Sequence, residues 1–230
     1  SLYGELTLKR GDWTMYPGVR TDLQLIDDTR VFSIDPRIRT LWSVGDGTVL
    51  KTGAGRHSQA PTPRQLSPSS DGNPDLIAEA AYQYSIGIEQ FITTWLTMDL
   101  TGFYHHLDNL VVGRENRFAF YSGPPPAGPF DTDPYANDGT GRTFGIELLG
   151  TLTADNTSGF IAATVSRSDR IKRPGDDRTL FEYDQPLVVN ALVSRKLPKR
   201  WRLGARVRYG SGNPYTPVTN RIYNHDRREF

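Results

Sequence analysis

Arg200-Trp201-Arg202-Leu203-Gly204-Ala205-Arg206-Val207-Arg208-Tyr209 alternates strictly between polar and apolar residues. In an extended chain successive side chains point to opposite faces. Trp201, Leu203, Ala205, Val207 and Tyr209 therefore share one face, and Arg202, Gly204, Arg206 and Arg208 share the other. A soluble sheet rarely sets a row of arginines behind an apolar face that begins on tryptophan and ends on tyrosine. A membrane barrel calls for that arrangement, with an apolar band toward lipid, aromatic residues at both interfaces and charge toward a wet lumen.

The same period of two recurs along the chain. Tyr82, Tyr84, Ile86 and Ile88 alternate with Gln83, Ser85, Gly87 and Glu89. Leu187, Val189, Ala191 and Val193 oppose a mixed face that carries Asn190 and Ser194. Val19, Thr21, Leu23 and Leu25 oppose Arg20, Asp22 and Gln24; Ile38, Thr40 and Trp42 oppose Arg37 and Arg39; Phe144, Ile146 and Leu148 oppose Gly145 and Glu147. No helical period of comparable length is present.

Turn signals divide these segments into about ten strands. Short turns fall at Arg10 to Asp12, Gly45 to Gly47, Gln90 to Thr94, Ala154 to Ser158 and Lys196 to Lys199. Longer connections rich in Pro, Gly, Asp and Arg fall at 57–78, 113–141, 172–184 and from 210 onward. The two kinds alternate, so each collects at one end of the sheet, as short periplasmic turns and long extracellular loops do in outer-membrane barrels. A soluble sandwich also has period-two strands, but they run to about 5–6 residues. Trp13 to Ile26 and Leu96 to Val112 each read as one longer strand.

Composition agrees with an all-β antiparallel transmembrane barrel. Hydrophobic residues are 37% of the chain, a low share for a globular core but suited to strands that are half polar, and 22 Gly with 16 Pro supply turns. No apolar run of about 18 residues is present, so a transmembrane helix is excluded. No basic segment followed by an apolar one opens the chain, so no signal peptide is expected within it. The absence of cysteine removes disulfides, thiolate chemistry and cysteine-based metal sites, and a net charge of +1 gives no footprint for nucleic acid.

Several segments resemble the barrels of TonB-dependent outer-membrane receptors. They are Ser33-Ile34-Asp35-Pro36-Arg37, Lys51-Thr52-Gly53-Ala54-Gly55-Arg56-His57-Ser58-Gln59-Ala60-Pro61, and Thr101-Gly102-Phe103-Tyr104 followed by Leu107-Asp108-Asn109-Leu110-Val111-Val112. Gly145-Ile146-Glu147-Leu148, Tyr183-Asp184-Gln185 and Arg208-Tyr209-Gly210-Ser211-Gly212-Asn213-Pro214-Tyr215-Thr216-Pro217 continue the series. The resemblance implies a barrel of about 22 strands closed around a plug. The chain supplies about ten of those strands and no recognisable plug or energy-coupling box. It is expected to be an interior piece, residues 1–230, of a larger receptor in the outer membrane of a Gram-negative bacterium.

The implied activity is energy-coupled uptake of a scarce solute such as a ferric siderophore, cobalamin or a glycan. The partners would be membrane lipid, the plug and missing strands, and the TonB complex. The rival roles are a surface anchor or protein-interaction barrel, and a passive porin. Neither catalysis nor a cofactor is expected.

The candidate lumen-facing residues are Arg20, Arg37, Arg39, Glu89, Glu147, Arg202, Arg206 and Arg208, with Asp22 and Asp99 beside them. A plugged barrel needs such a wall whatever it transports. The candidates for capturing substrate are the aromatic loop residues Phe118, Phe120, Tyr121, Phe130 and Tyr135.

The remaining polar groups read as solvated. Asp27-Asp28 and Asp176-Asp177 lie beside Arg30, Arg173 and Arg178 with no histidine or nucleophile near them. His105 and His106 are strand neighbours that point to opposite faces and cannot easily chelate one metal. The loop at 131–139 is oxygen-rich enough for calcium but lacks EF-hand spacing. Gly210-Ser211-Gly212 is followed by neither a helix nor a lysine, and Ser58 and Ser166 lie outside any hydrolase elbow.

Overall fold

The computed structural model describes residues 1–26, 29–68, 72–113 and 134–215. The strands are β1 (Leu2–Glu5), β2 (Leu8–Arg10), β3 (Trp13–Ile26), β4 (Thr29–Gly45), β5 (Thr48–Gln59), β6 (Glu79–Thr93) and β7 (Leu96–Gly113). They continue as β8 (Tyr135–Thr153), β9 (Thr157–Ile171), β10 (Thr179–Leu180), β11 (Leu187–Lys196) and β12 (Arg202–Gly210), with one short helix, α1 (Pro63–Leu66), between β5 and β6. Together they make a 12-stranded antiparallel sheet in the order β1-β3-β4-β5-β6-β7-β8-β9-β11-β12, with β2 added on β3 and β10 on β9. Along this order each strand pairs with the next, and among the described residues β1 and β12 stand at the two edges.

β1 and β2 are one edge strand with a break. The break lies opposite Pro17, which has no N–H to offer that edge, while the Pro17 carbonyl accepts the Leu6 amide at 3.0 Å. At the foot of the sheet Asp46-Gly47 turns β4 into β5, with Gly47 at φ +76°, a conformation that favours glycine.

The register is staggered as barrel closure demands. Trp42 pairs with Leu50, and the row of directly opposed residues runs on through Ile88, Leu100, Leu148, Ala163 and Val189 to Tyr209. It starts near the foot of β4 and ends near the far end of β12. A row that climbs in this way tilts the strands against the axis of the curve, the geometry of a barrel wall.

This row is apolar, and the face it lies on is bare. Ile86 is 68% exposed, Leu203 66%, Val207 63% and Val165 60%, far more contiguous apolar surface than water tolerates. Trp13 and Trp42 stack at 4.7 Å near the short turns, and Tyr84, Tyr104 and Phe144 form a directly opposed aromatic row farther up the same face. The two aromatic levels bracket the band.

The main apolar cluster lies at the opposite end from the short turns. Leu66 and Leu76, from the connection between β5 and β6, pack with Val31 and Ala78 and against Ile26, Ala60, Val111 and Tyr135. Asn73 Nδ2 donates to the Tyr135 carbonyl at 2.9 Å, and the Asn137 side chain bridges Ile77 to the Asn109 carbonyl. The described residues of this connection form a folded cap.

Several features differ from the sequence reading. The loop placed at 113–141 gives way to β8 at Tyr135, because Tyr135 is held by the cluster and Asn137 by side-chain hydrogen bonds that no periodicity reveals. The turn placed at Gln90–Thr94 is only Thr94-Trp95, since β6 continues past a bulge near Phe91. Helix α1 was not anticipated, and a capping interaction of the Gln65 side chain with the Thr62 amide at 2.8 Å accompanies it.

Candidate functional site

The charged face of the sheet is fixed by the ladder, because directly opposed residues project to the same side. Lys51 opposes Gly87, which opposes Thr101, which opposes Glu147. Glu89 opposes Asp99, Arg39 opposes Gly53, and Arg37 opposes Gly55. Followed across the strands, this face carries Arg20, Arg37, Arg39, Glu89, Glu147, Arg202, Arg206 and Arg208, together with Asp22 and Asp99. Tyr82, Tyr84, Ile86, Ile88, Leu203 and Val207 lie on the other face, and Trp201 stands just before β12.

The charges fall into zones. On β1 to β5, Arg37 lies 3.5 Å from Glu5 and over the Tyr3 ring at 4.6 Å, Arg39 lies over Tyr16 at 4.4 Å, and Arg20 pairs with Asp22 at 2.7 Å. At the centre, Lys51 Nζ sits 3.3 Å from Glu89 and also pairs with Asp99, so one ammonium joins carboxylates from two further strands. β12 brings Arg202, Arg206 and Arg208. Among the described residues, Arg39, Glu147 and these three arginines form no ion pair.

Between the first two zones lies an open basin of about 620 Å³, walled by Arg37, Arg39, Lys51, Gln83, His57 and His105. Glycines form its floor. A Cβ on Gly87 would come within 2.4 Å of Thr101 Oγ1, and one on Gly53 within 2.8 Å of Ser85 Oγ, so side chains there would fill the hollow. His105 lines the basin, while His106 lies on the apolar face with its ring 6.3 Å from that of Tyr82. The two histidines thus diverge as strand alternation requires. The described residues contain no group of three or more His, Cys, Asp or Glu side chains able to hold a metal.

Of the aromatic capture candidates, Phe118, Phe120, Tyr121 and Phe130 lie outside the described residues, as do Asp27, Asp28 and the first part of the 131–139 segment. Tyr135 opens β8 and packs on the cap cluster, so the loop assignment does not hold for it. Sequence reasoning missed the buried carboxylates. Asp35, quoted only as part of a phrase, accepts Arg56 Nη1 at 2.9 Å and Ser58 Oγ at 2.6 Å. Asp184 accepts the Ser168 amide at 2.7 Å in the gap between β10 and β11, replacing a ladder carbonyl. Asp169 gathers arginines. An isolated aspartate in an alternating strand carries no signal of a distant partner.

The TonB-dependent receptor-like β-barrel family matches residues 1–227. No curated protein matches the chain in sequence. Among solved structures, it is similar to the FrpB iron transporter of Neisseria meningitidis, with a TM-score of 0.65 and 16% identity over 90% of this chain and 32% of that one. It is similar to a mutant of the ferric enterobactin receptor PfeA of Pseudomonas aeruginosa, with a TM-score of 0.65 and 18% identity over 90% and 31%. The siderophore receptor PirA of Pseudomonas aeruginosa gives a TM-score of 0.63 and 18% identity over 90% and 37%. The chain thus spans about a third of the length of these structures, and at such identities the likeness shows the fold. An open, staggered sheet with one apolar and one charged face, matched along almost its whole length, belongs to the β-barrel of the TonB-dependent receptors, a family of Gram-negative outer-membrane transport proteins and not of enzymes.

Proposed function

We propose that residues 1–230 form part of the wall of a larger, plugged outer-membrane barrel that takes up a ferric siderophore by TonB-coupled transport. The observation that carries this reading is the charged face. Arg39, Glu147, Arg202, Arg206 and Arg208 are held on a sheet whose other face is apolar, and they have no ion-pair partner among the described residues. A plug with complementary charge gives such a wall its partners, and the family supplies one. The choice of an iron chelate over cobalamin or a glycan is supported by the solved relatives named above, which are an iron transporter, a ferric enterobactin receptor and a siderophore receptor.

In this reading the apolar face meets lipid, the charged face meets plug and water, and the segment holding Phe118, Phe120, Tyr121 and Phe130 captures the substrate outside. Tyr135 anchors the far end of that segment through the cap cluster.

The test is growth of a strain lacking the full receptor on iron supplied as siderophore complexes, on cobalamin and on glycans, with uptake measured with and without the proton-motive force. Loss of one ferric siderophore's energy-dependent uptake is the expected result. Uptake that survives uncoupling assigns a porin, and unchanged growth on every source assigns a surface-interaction role. Deleting 118–130 is expected to weaken ligand binding to whole cells while surface expression persists.

A further inference from the structure

On the apolar face, just above the row of Tyr84, Tyr104 and Phe144, three arginines converge on one carboxylate. Asp169 is buried and accepts Arg142 Nε at 3.1 and 3.2 Å and Arg178 Nη1 at 2.6 Å, while Arg167 Nε stands 3.7 Å away. Three guanidinium groups around a single carboxylate leave two positive charges in excess. The Arg167 side chain is 60% exposed, so much of its donor fork is free to meet another anion.

Directly below Arg167 the same face is hollowed. A groove of about 440 Å³ runs between Phe144, Ile146 and Val165, with Gly102 leaving it open and Arg167 at its rim. Its walls are almost wholly apolar. Arg142 and Arg167 lie about ten residues along their strands from the short β8–β9 turn, the length a tilted strand needs to cross the hydrocarbon layer. The arginines therefore sit at headgroup depth and the groove at acyl-chain depth.

We propose that this outer wall binds one phosphorylated lipid, its phosphate against Arg142, Arg167 and Arg178 and an acyl chain in the groove beside Gly102. The inference rests on the reading above that the apolar face meets lipid. Charge selects the occupant: guanidinium forks match phosphate oxygens, and a neutral lipid leaves the excess charge unanswered. The groove separates a lipid from a free anion, which has no chain to fill it.

The full-length receptor is reconstituted in phosphatidylcholine vesicles containing diphosphoryl lipid A or its dephosphorylated form, extracted in mild detergent, and its retained lipid measured by mass spectrometry. The wild type is expected to keep the phosphorylated form and lose the other. Arg167→Gln removes one charge-assisted contact and should lower retention about tenfold. Gly102→Leu fills the groove, and a Cβ there meets nothing nearer than the Ile86 carbonyl at 3.9 Å, so folding should persist while retention falls comparably.

Equal retention of the two lipids, or retention unchanged in both variants, overturns the proposal. Loss with Arg167→Gln alone, or displacement by millimolar inorganic phosphate, also overturns it and leaves an anion site. Heat-modifiable mobility of each protein is recorded alongside. If the wild-type receptor lacks it, the lipid-facing reading fails rather than the lipid site.

Discussion

Ser58 donates its hydroxyl to Asp35 at 2.6 Å, and Arg56 reaches the other oxygen of the same buried carboxylate at 2.9 Å. The regular pairing of β4 with β5 ends at Arg37 and Gly55, so these side chains carry on the connection where the backbone ladder stops. They also join two stretches set apart in the sequence, Ser33–Arg37 and Lys51–Pro61. Asp35→Ala leaves the Arg56 guanidinium, which also bonds the Ile34 carbonyl, without its counter-charge. The expected cost is about 1–3 kcal/mol of local stability, since the arginine keeps some access to water. Hydrogen exchange in the full receptor should accelerate at residues 56–62 and not in β11 or β12. Uniform acceleration would mean that Asp35 supports the whole sheet.

The two faces of the sheet predict opposite responses to charge. Ile86→Arg puts an arginine on the apolar face near mid-membrane, at a cost of about 2–4 kcal/mol, whereas Arg206→Gln changes a group on the wet side and should leave assembly nearly unaltered. Urea titration of heat-modifiable mobility measures both. Equal destabilisation by the two substitutions contradicts the assignment of faces.

Lys51 holds Glu89 and Asp99 together on the charged wall. Lys51→Met leaves two directly opposed carboxylates without their cation, and like charges across a strand pair destabilise it by about 0.2–1 kcal/mol. The midpoint of unfolding should fall slightly, and Lys51→Arg, which keeps the cation, should not reproduce the fall. An equal fall in Lys51→Arg would assign the effect to lost packing of the lysine stem instead.

The parts of the fold legible in the sequence are those governed by a period. Alternation at 82–89 and 200–209 specifies which residues share a face, and the ladder places all eight proposed wall residues together because one face repeats across every strand. Sites made by single residues from distant strands are another matter. Asp169 draws on Arg142 from β8 and Arg178 from the segment before β10, a convergence that depends on register and on where that segment folds back. The start of β8 was hidden for a similar reason: Tyr135 and Asn137 look like loop residues until Leu66 and Ile77 arrive against them.

Among the described residues, β1 and β12 each have one edge without a strand partner, and hydrocarbon offers the amides and carbonyls of such an edge none. Residues 1–230 expressed alone should give no heat-modifiable, SDS-resistant monomer. A folded monomer with β1 paired to β12 contradicts this and makes the chain a barrel in its own right.

Asp169 gives a prediction with a definite sign. Burial by itself raises its carboxyl, but the hydrogen bonds from Arg178 and Arg142 outweigh that and hold it below the ordinary carboxylate range. A carboxyl lowered by folding contributes stability that is complete above its unfolded value of about 3.9 and is lost as pH falls through the lower folded value. The neighbouring β10 pairs with β9 at Asp169 and Arg170, so its amide protection reports on the cluster. Corrected for intrinsic exchange, protection of Thr179 and Leu180 should stay constant from about pH 7 to pH 5 and fall only below about pH 4. Asp169→Asn should lower that protection and remove its dependence on acid, because no carboxylate remains to be protonated. Protection that falls between about pH 7 and pH 5 in the wild type would contradict the assignment to Asp169.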